Sequence, residues 1–429
     1  MHGSTLMKYN VALLHYSCPP VVGGVEEIMR QHASLLTRHY HNVKVFAGDG
    51  GAFSDTIDIE INPLLGSHNQ EILEVHQRSL KDHSHTLDPI VRKIYDYLTS
   101  ALKGFDVLIA HNVLTMPYNL PLCAALHQIA REGLLPIISW NHDSPYFYPD
   151  HPSHLDLAPW NILKQAGKDI HYVVISESRK ELFDRLYGGT NQLSVIPNGI
   201  DPIRFFRLDP TTVRLIQEQD LFAAQFLMVQ PSRLHWRKNM ELSIRVTRCL
   251  HHLGLRARLL ITGAHDPHEP KTLNYYRELR RLASDLGIQN DVLIMAEYTF
   301  ESGERLSADR ITIRDLYLIS DILFLPSLQE GFGIPLLESG MIKLPVVCSD
   351  IPPFVEIGGE DVCLFDLSET PEQIAQKILD FVGTLKPHRM FRKVIRNYAW
   401  DNIYLERLLP LLQNVIGPKR TADDWAFTS

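Results

Sequence analysis

Short runs rich in Val, Ile and Leu recur along the chain, and between them lie longer stretches whose apolar positions return every three or four residues. Unbroken apolar runs predict strands buried on both faces of a parallel sheet, and the amphipathic stretches predict the crossover helices that join them. In the first half, strands are predicted at Asn10–Tyr16, Asn42–Phe46, Asp106–Ala110, Pro136–Trp140, His171–Ile175 and Leu193–Ile196, with helices over Val25–Leu36, Val91–Leu102 and Leu120–Ala130. The second half predicts strands at Phe226–Gln230, Ala257–Thr262, Val292–Met295, Ile322–Leu325, Pro345–Cys348 and Val362–Phe365. Helical patterns then cover Pro371–Asn397 and Trp400–Val415, and the tail beyond them has no periodicity. The fold class is α/β: two successive doubly wound, Rossmann-like sheets, each with a series of strand-to-helix turns where ligands bind.

The break between the halves falls around Ile196–Asp209, where prolines and an Asn-Gly turn signal interrupt the apolar patches. This divides the chain into residues 1–198, 199–399 and 400–429, the last a C-terminal helix and tail able to cross back to the first domain. At 429 residues the chain exceeds the roughly 250–300 at which one core stops growing, which agrees with two domains.

Composition narrows the function mainly by exclusion. The net charge is −8 and no long run of Lys and Arg exists, so a nucleic-acid partner is not expected. The five cysteines are scattered, odd in number and mostly set in apolar runs, as expected of reduced thiols in a cytoplasmic protein. No apolar stretch reaches the roughly 18 residues of a membrane span. The mildly basic segment VRKIYDYLTSALKGF leaves peripheral contact with a membrane surface open.

Four segments carry candidate chemistry. In DILFLPSLQEGFGIPLLESG, from Asp321, a strand leads through glycines into a helix that Pro335 starts near Gly333 or Ile334. The first amides of that helix can bind an anion, Gly331 and Gly333 permit close backbone approach, and Glu330 and Glu338 can face one ligand across the helix start. In FLMVQPSRLHWRKNMELSI, Arg233 and Lys238 follow a buried strand at the end where open sheets bind ligands, beside a helix beginning near Asn239. Gly23 and Gly24 open a helix after the first strand, without the spacing of a dinucleotide fingerprint or a phosphate loop. His142 and Asp143 end a strand of the first half, with aromatics following. Each segment alone also admits a plainer role: a loop cap, a solvated cation, a tight turn, an ordinary polar residue. The His and Asp residues between 142 and 156 match no metal-binding spacing, and no metal is expected.

Taken in order, GGVE after the first strand, HD after a mid-domain strand, VIPNGID at the break, SRLHWRKN, and EGFGIPLLE followed by PVVCSDIPPFVEI resemble the retaining glycosyltransferases of the GT-B fold, family 4, across nearly the whole chain. The resemblance implies two Rossmann-like domains facing a cleft, and transfer of a hexose from a nucleotide-diphosphate sugar, of UDP-glucose or GDP-mannose type, to a hydroxyl acceptor. It implies no cofactor and no metal. By the same likeness Glu330 contacts the donor sugar, Glu338 the ribose, and Arg233 and Lys238 the diphosphate. Amides at Gly23, Gly24, Gly333, Ile334, Leu336 and Leu337 assist, His142 hydrogen-bonds the sugar, and Glu297 and Tyr298 hold the base, largely through backbone groups. Acceptors would meet the first domain, at Gly48–Leu87 and Ser144–Leu163. Lys343-Leu344, where a glycine is usual, and the long stretch Phe300–Ile313 depart from the pattern and weaken any borrowed base pocket. The competing readings are an epimerase, a phosphorylase with a lysine-bound pyridoxal cofactor, and a non-catalytic binder of nucleotide sugars.

Overall fold

The computed structural model describes residues 8–81, 87–189, 193–263 and 272–417, so most of the tail after Val415 lies outside the described residues, as do residues 82–86 of the first acceptor segment. The chain divides into two compact units, one of residues up to Gly199 together with those from Ile403 onward, the other Ile200–Asn402.

The first unit is built on a seven-stranded parallel sheet: β1 (Asn10–His15), β2 (Asn42–Ala47), β3 (Asp58–Ile61), β4 (Val107–His111), β5 (Ile137–Asn141), β6 (Ile170–Val174) and β7 (Leu193–Val195). Its spatial order is β3-β2-β1-β4-β5-β6-β7. The strand β3, of sequence DIEI, has no counterpart among the predicted strands: it is a short, half-exposed edge strand without a buried run to announce it. Helix Gly24–Arg38 begins one residue before its predicted start and packs Met29, Ala33, Leu35 and Leu36 inward.

The second unit has six parallel strands: β8 (Phe226–Gln230), β9 (Ala257–Ile261), β10 (Val292–Ile294), β11 (Ile322–Leu325), β12 (Val346–Ser349) and β13 (Cys363–Phe365), in the order β10-β9-β8-β11-β12-β13. Alternate residues feed two cores. Phe226, Met228, Leu259 and Phe324 enter one, while Leu227, Val229, Leu260 and Leu323 enter the other. That double burial is why these strands read as continuous apolar runs.

In each unit the strand order reverses beside the first strand, between β1 and β4 and between β8 and β11. A crevice opens outside the carboxyl ends of the strands at such a reversal, and ligands of open α/β sheets bind there.

Two predicted helices are interrupted. The pattern Pro371–Asn397 resolves into Pro371–Thr384 and Lys386–Tyr398, separated at Leu385, because Pro387 has no amide to donate and suits only a first turn. The pattern Trp400–Val415 contains a π-turn over Tyr404–Leu408, which ends two residues before Pro410. From Ile403 the chain packs with the first unit: the Tyr404 hydroxyl lies 2.7 Å from His41 Nε2, and Arg407 Nη1 donates to the Val195 carbonyl at 3.2 Å. All five cysteines are free thiols; burial raises the pKa of each, Cys123 and Cys348 to about 12.

Candidate functional site

The second unit carries a cavity of about 520 Å³ at its reversal point, lined by the loops after β8 and β11. Arg233, Arg237, Lys238, Glu330 and Gly331 line it, so it joins three of the predicted charged residues with one that prediction left without a role, Arg237. Lys238 Nζ donates to Glu330 Oε1 at 2.5 Å, and the Ser327 hydroxyl donates to the same oxygen at 2.7 Å. Oε2 of Glu330 has no hydrogen-bond partner among the described residues. Arg233 is exposed and forms no ion pair among them, so the cavity presents three cations against one carboxylate.

The two loops are fixed from beneath. Gln230, fully buried at the end of β8, donates from Nε2 to the Lys238 carbonyl at 2.8 Å, while its Oε1 accepts from the Ser243 hydroxyl at 2.7 Å. Leu328 donates its amide to the Arg237 carbonyl at 2.8 Å, tying the β11 loop to the β8 loop. Asn239 then turns the chain into helix Met240–His252 at φ +52°, a left-handed conformation that Asn enters more readily than most residues. Gly263 lets the β9 loop touch this floor: a Cβ there would stand 1.6 Å from the Ser232 carbonyl oxygen. Nothing in the local sequence marks Gln230 or Gly263, because their partners come from other loops.

Gly333, at φ +114°, is the N-cap of helix Ile334–Met341 and lies against the Phe354 ring, which a Cβ would approach to 3.1 Å. Of the amides expected to face a ligand there, that of Leu336 already donates to the Gly333 carbonyl at 3.0 Å, and its side chain is buried, so it is not a free donor; Ile334 and Leu337 are exposed. Glu338 is exposed one turn along this helix, outside the cavity lining, and accepts from the Tyr317 hydroxyl at 3.2 Å. Burial, and secondarily that carboxylate, pushes the Tyr317 hydroxyl well above its ordinary pKa.

Glu297 and Tyr298 do not line the cavity. Glu297 pairs with Arg305 at 2.6 Å. The stretch after Tyr298 folds back on it: Thr299 bridges Arg305, the Tyr298 amide donates to Met295, and its carbonyl accepts from Leu306 at 2.9 Å. The Tyr298 hydroxyl lies between Gln219 and Glu218, each at 3.0 Å. The backbone amide and carbonyl of Tyr298 are thus both hydrogen-bonded within the unit.

The first unit has its own cavity, about 1020 Å³, at the reversal between β1 and β4. Gly24 and His142 are in its lining; Gly23 caps helix Gly24–Arg38 beside it in extended conformation. The amides of His142 and Asp143 donate to Asn112 Oδ1 at 2.9 and 3.2 Å, which fixes the end of β5. Asn198 Nδ2 lies 3.4 Å from His142 Nδ1, and this network assigns the neutral ring's proton to Nε2, which is buried without a partner. Burial holds the His142 pKa down to about 4, helped by repulsion from His15. Behind it stand His111 and His32, both also depressed by burial, His32 to about 3.

Two further residues of this cavity escape the local pattern. His15, ending β1, has Nδ1 2.7 Å from the His111 carbonyl, and its Nε2 lies 3.8 Å from Glu26 Oε1, which also accepts from the Ser17 hydroxyl at 2.6 Å. Among the described residues no cluster of three or more His, Cys, Asp or Glu is arranged to hold a metal ion, and no helix is long and apolar enough to cross a membrane.

Residues 22–204 match the family described as Glycosyltransferase Family 4, and residues 214–397 match Glycosyl transferases group 1. Mannosylglucosylglycerate synthase of Thermotoga maritima is 23% identical, the match covering 95% of this chain and 100% of that protein. The O-antigen chain mannosyltransferase RfbU of Salmonella typhimurium is 26% identical over 50% of this chain and 52% of its own length. Among solved structures, sucrose-phosphate synthase from Thermosynechococcus elongatus aligns over 95% of this chain and 99% of that one, with 15% identity and a TM-score of 0.39.

Proposed function

The chain belongs to the family 4 glycosyltransferases of the GT-B fold, and from that premise we propose that it moves a hexose from a nucleotide-diphosphate sugar to a hydroxyl acceptor with retention of anomeric configuration, using neither metal nor cofactor. The observation that carries this reading is the Lys238–Glu330 pair, set with Arg233 and Arg237 in a cationic cavity at the reversal point of the second unit. Cations beside a strand end suit a diphosphate, and they stabilise the charge that grows on it as the glycosidic bond breaks. Glu330 keeps Oε2 for a sugar hydroxyl, Glu338 is available to a ribose, and the amides of Ile334 and Leu337 open a helix toward negative charge. In the first unit, Gly23 and Gly24 open a second such helix, and His142 offers Nε2–H to a sugar hydroxyl. Attack and departure on one face of an oxocarbenium-like sugar would retain configuration without a protein nucleophile.

The first unit's cavity is the acceptor site in this reading. Mannosyl appears in the names of both relatives, which favours GDP-mannose over UDP-glucose as donor. The test is a thermal-shift screen against UDP, GDP, ADP and their sugar conjugates, since a ligand at a hundred times its Kd adds about 2.7 kcal/mol of stability. A selective rise that disappears in Lys238→Ala, followed by transfer in EDTA with NMR showing the donor's anomeric configuration in the product, is the expected outcome. Absence of a shift with every conjugate, or an inverted product, removes the reading.

A further inference from the structure

The cavities at the two reversal points are opposite in charge. Among the described residues, that of the second unit is lined by three cationic side chains and one carboxylate; that of the first is lined by Glu26, Asp49 and Asp143 and by no lysine or arginine. Of these three, Asp143 alone has a lysine or arginine beside it among the described residues, Arg179 at 3.1 Å, with the Tyr148 hydroxyl on its other oxygen at 2.7 Å. Three of the four lining imidazoles do not supply the missing charge: burial lowers the pKa of His15 next to Glu26 and holds His76 and His142 to about 4, so these three are neutral near pH 7, while the fourth, His68, is exposed at the rim.

The rest of the wall is shaped for an uncharged ring. Tyr118 is half exposed and packs T-shaped against Tyr16, with ring centroids 5.7 Å apart, and it lines the cavity together with Met116 and Leu73. Rings of that kind cover the C–H face of a sugar, and carboxylates such as Glu26 and Asp49 accept from its hydroxyls. An anionic group in the same place would meet the carboxylates of Glu26 and Asp49 with no cationic side chain beside them, and the one favourable feature, the amide end of helix Gly24–Arg38, already carries Glu26 and Glu27 in its first turn.

We propose that the first unit's cavity selects an uncharged, hydroxyl-rich acceptor, a neutral glycoside or polyol, and discriminates against acceptors that carry phosphate or carboxylate. This rests on the transferase reading for the word acceptor, but not for the binding itself.

The experiment therefore measures binding directly. Methyl glycosides and disaccharides of glucose and mannose, each beside its uronate and 6-phosphate counterpart, are titrated against the full chain by ligand-observed NMR, with donor binding followed separately by thermal shift. The neutral member of each pair is expected to bind at least about tenfold more tightly. In Glu26→Gln and in Asp49→Asn, the second a change at an exposed residue that leaves the fold unstressed, the ratio is expected to shrink to about threefold through gain by the charged member. Equal or tighter binding of the charged members by the unaltered chain, binding of no neutral member, or an unchanged ratio in both variants overturns the proposal. A missing nucleotide shift beside intact neutral-sugar binding would remove the transferase reading and leave the selectivity standing.

Discussion

Replacing Lys238 with alanine separates chemistry from stability. The ammonium group lies 2.5 Å from Glu330 Oε1, and the two side chains are 26% and 16% exposed, so this is a partly buried pair on a rigid floor. Its loss from the resting protein is modest: Glu330 keeps the Ser327 hydroxyl, the Gln230 clamp acts on the Lys238 backbone and survives truncation, and ion pairs open to solvent contribute up to about 1 kcal/mol. For a unit of this size that is a fall in Tm of about 2–4 °C. The transition state loses far more, because a preorganised donor aimed at developing charge contributes roughly 3–4 kcal/mol, a factor of about 10²–10³ in turnover. The assay is single-turnover transfer from the preferred donor, beside a thermal melt. The variant should melt within about 4 °C of the parent and turn over at least about a hundredfold more slowly. A background of Glu330→Gln tells direct from indirect action. If Lys238 stabilises the leaving diphosphate, its truncation costs a further large factor there; if it only orients Glu330, the second change costs almost nothing. Turnover of Lys238→Ala within fivefold of the parent refutes the charge-stabilising role.

Two other expectations concern the frame. Gly333→Ala must hold an L side chain at φ +114° and bring its Cβ within 3.1 Å of the buried Phe354 ring, at a cost of about 1–3 kcal/mol for the backbone and a similar amount for overpacking, so a Tm fall of at least about 5 °C is expected; Gly331→Ala, with open space around it, should melt like the parent, and equal melts for the two would refute the argument. Acidification should destabilise the first unit through His32 and His142. Their folded pKa values, about 3 and about 4, lie below the unfolded value near 6.5, so between those limits the unfolded chain binds more protons and stability falls with pH, by roughly 2 kcal/mol per ring at pH 5. Melts from pH 7 to pH 5 check this, with His142→Asn flattening the slope; an identical slope in that variant would rule out His142 as a contributor.

Much of the fold was legible because each strand of the second unit is buried on both faces, and its sequence repeats that fact locally. The edge strand β3 was hidden because half-exposed DIEI has no such run, and the break at Leu385 was hidden inside an amphipathic period that Pro387 alone contradicts. At the candidate site, Arg233, Lys238 and Glu330 were visible because each follows the end of a predicted strand. Glu26, His15 and Gln230 were not singled out: His15 acquires its partner His111 from a strand 96 positions away, and Gln230 looks like any strand residue until the Lys238 carbonyl is seen beside it. The partner of the Tyr298 carbonyl was equally hidden, since Leu306 lies in a stretch that the sequence marks only as extra length.

The return of the chain to the first unit at Ile403 bears on how the protein is made. Ile200 and Trp400 are bonded to one another, the Trp400 amide donating to the Ile200 carbonyl at 3.0 Å, so the chain enters and leaves the second unit at neighbouring residues. During synthesis its whole chain, Ile200–Asn402, leaves the ribosome before the segment that gives the first unit Tyr404 and Leu412. The half that begins first therefore finishes last, and a chain terminated near residue 402 carries the whole of the second unit joined to a first one whose His41 lacks the Tyr404 hydroxyl.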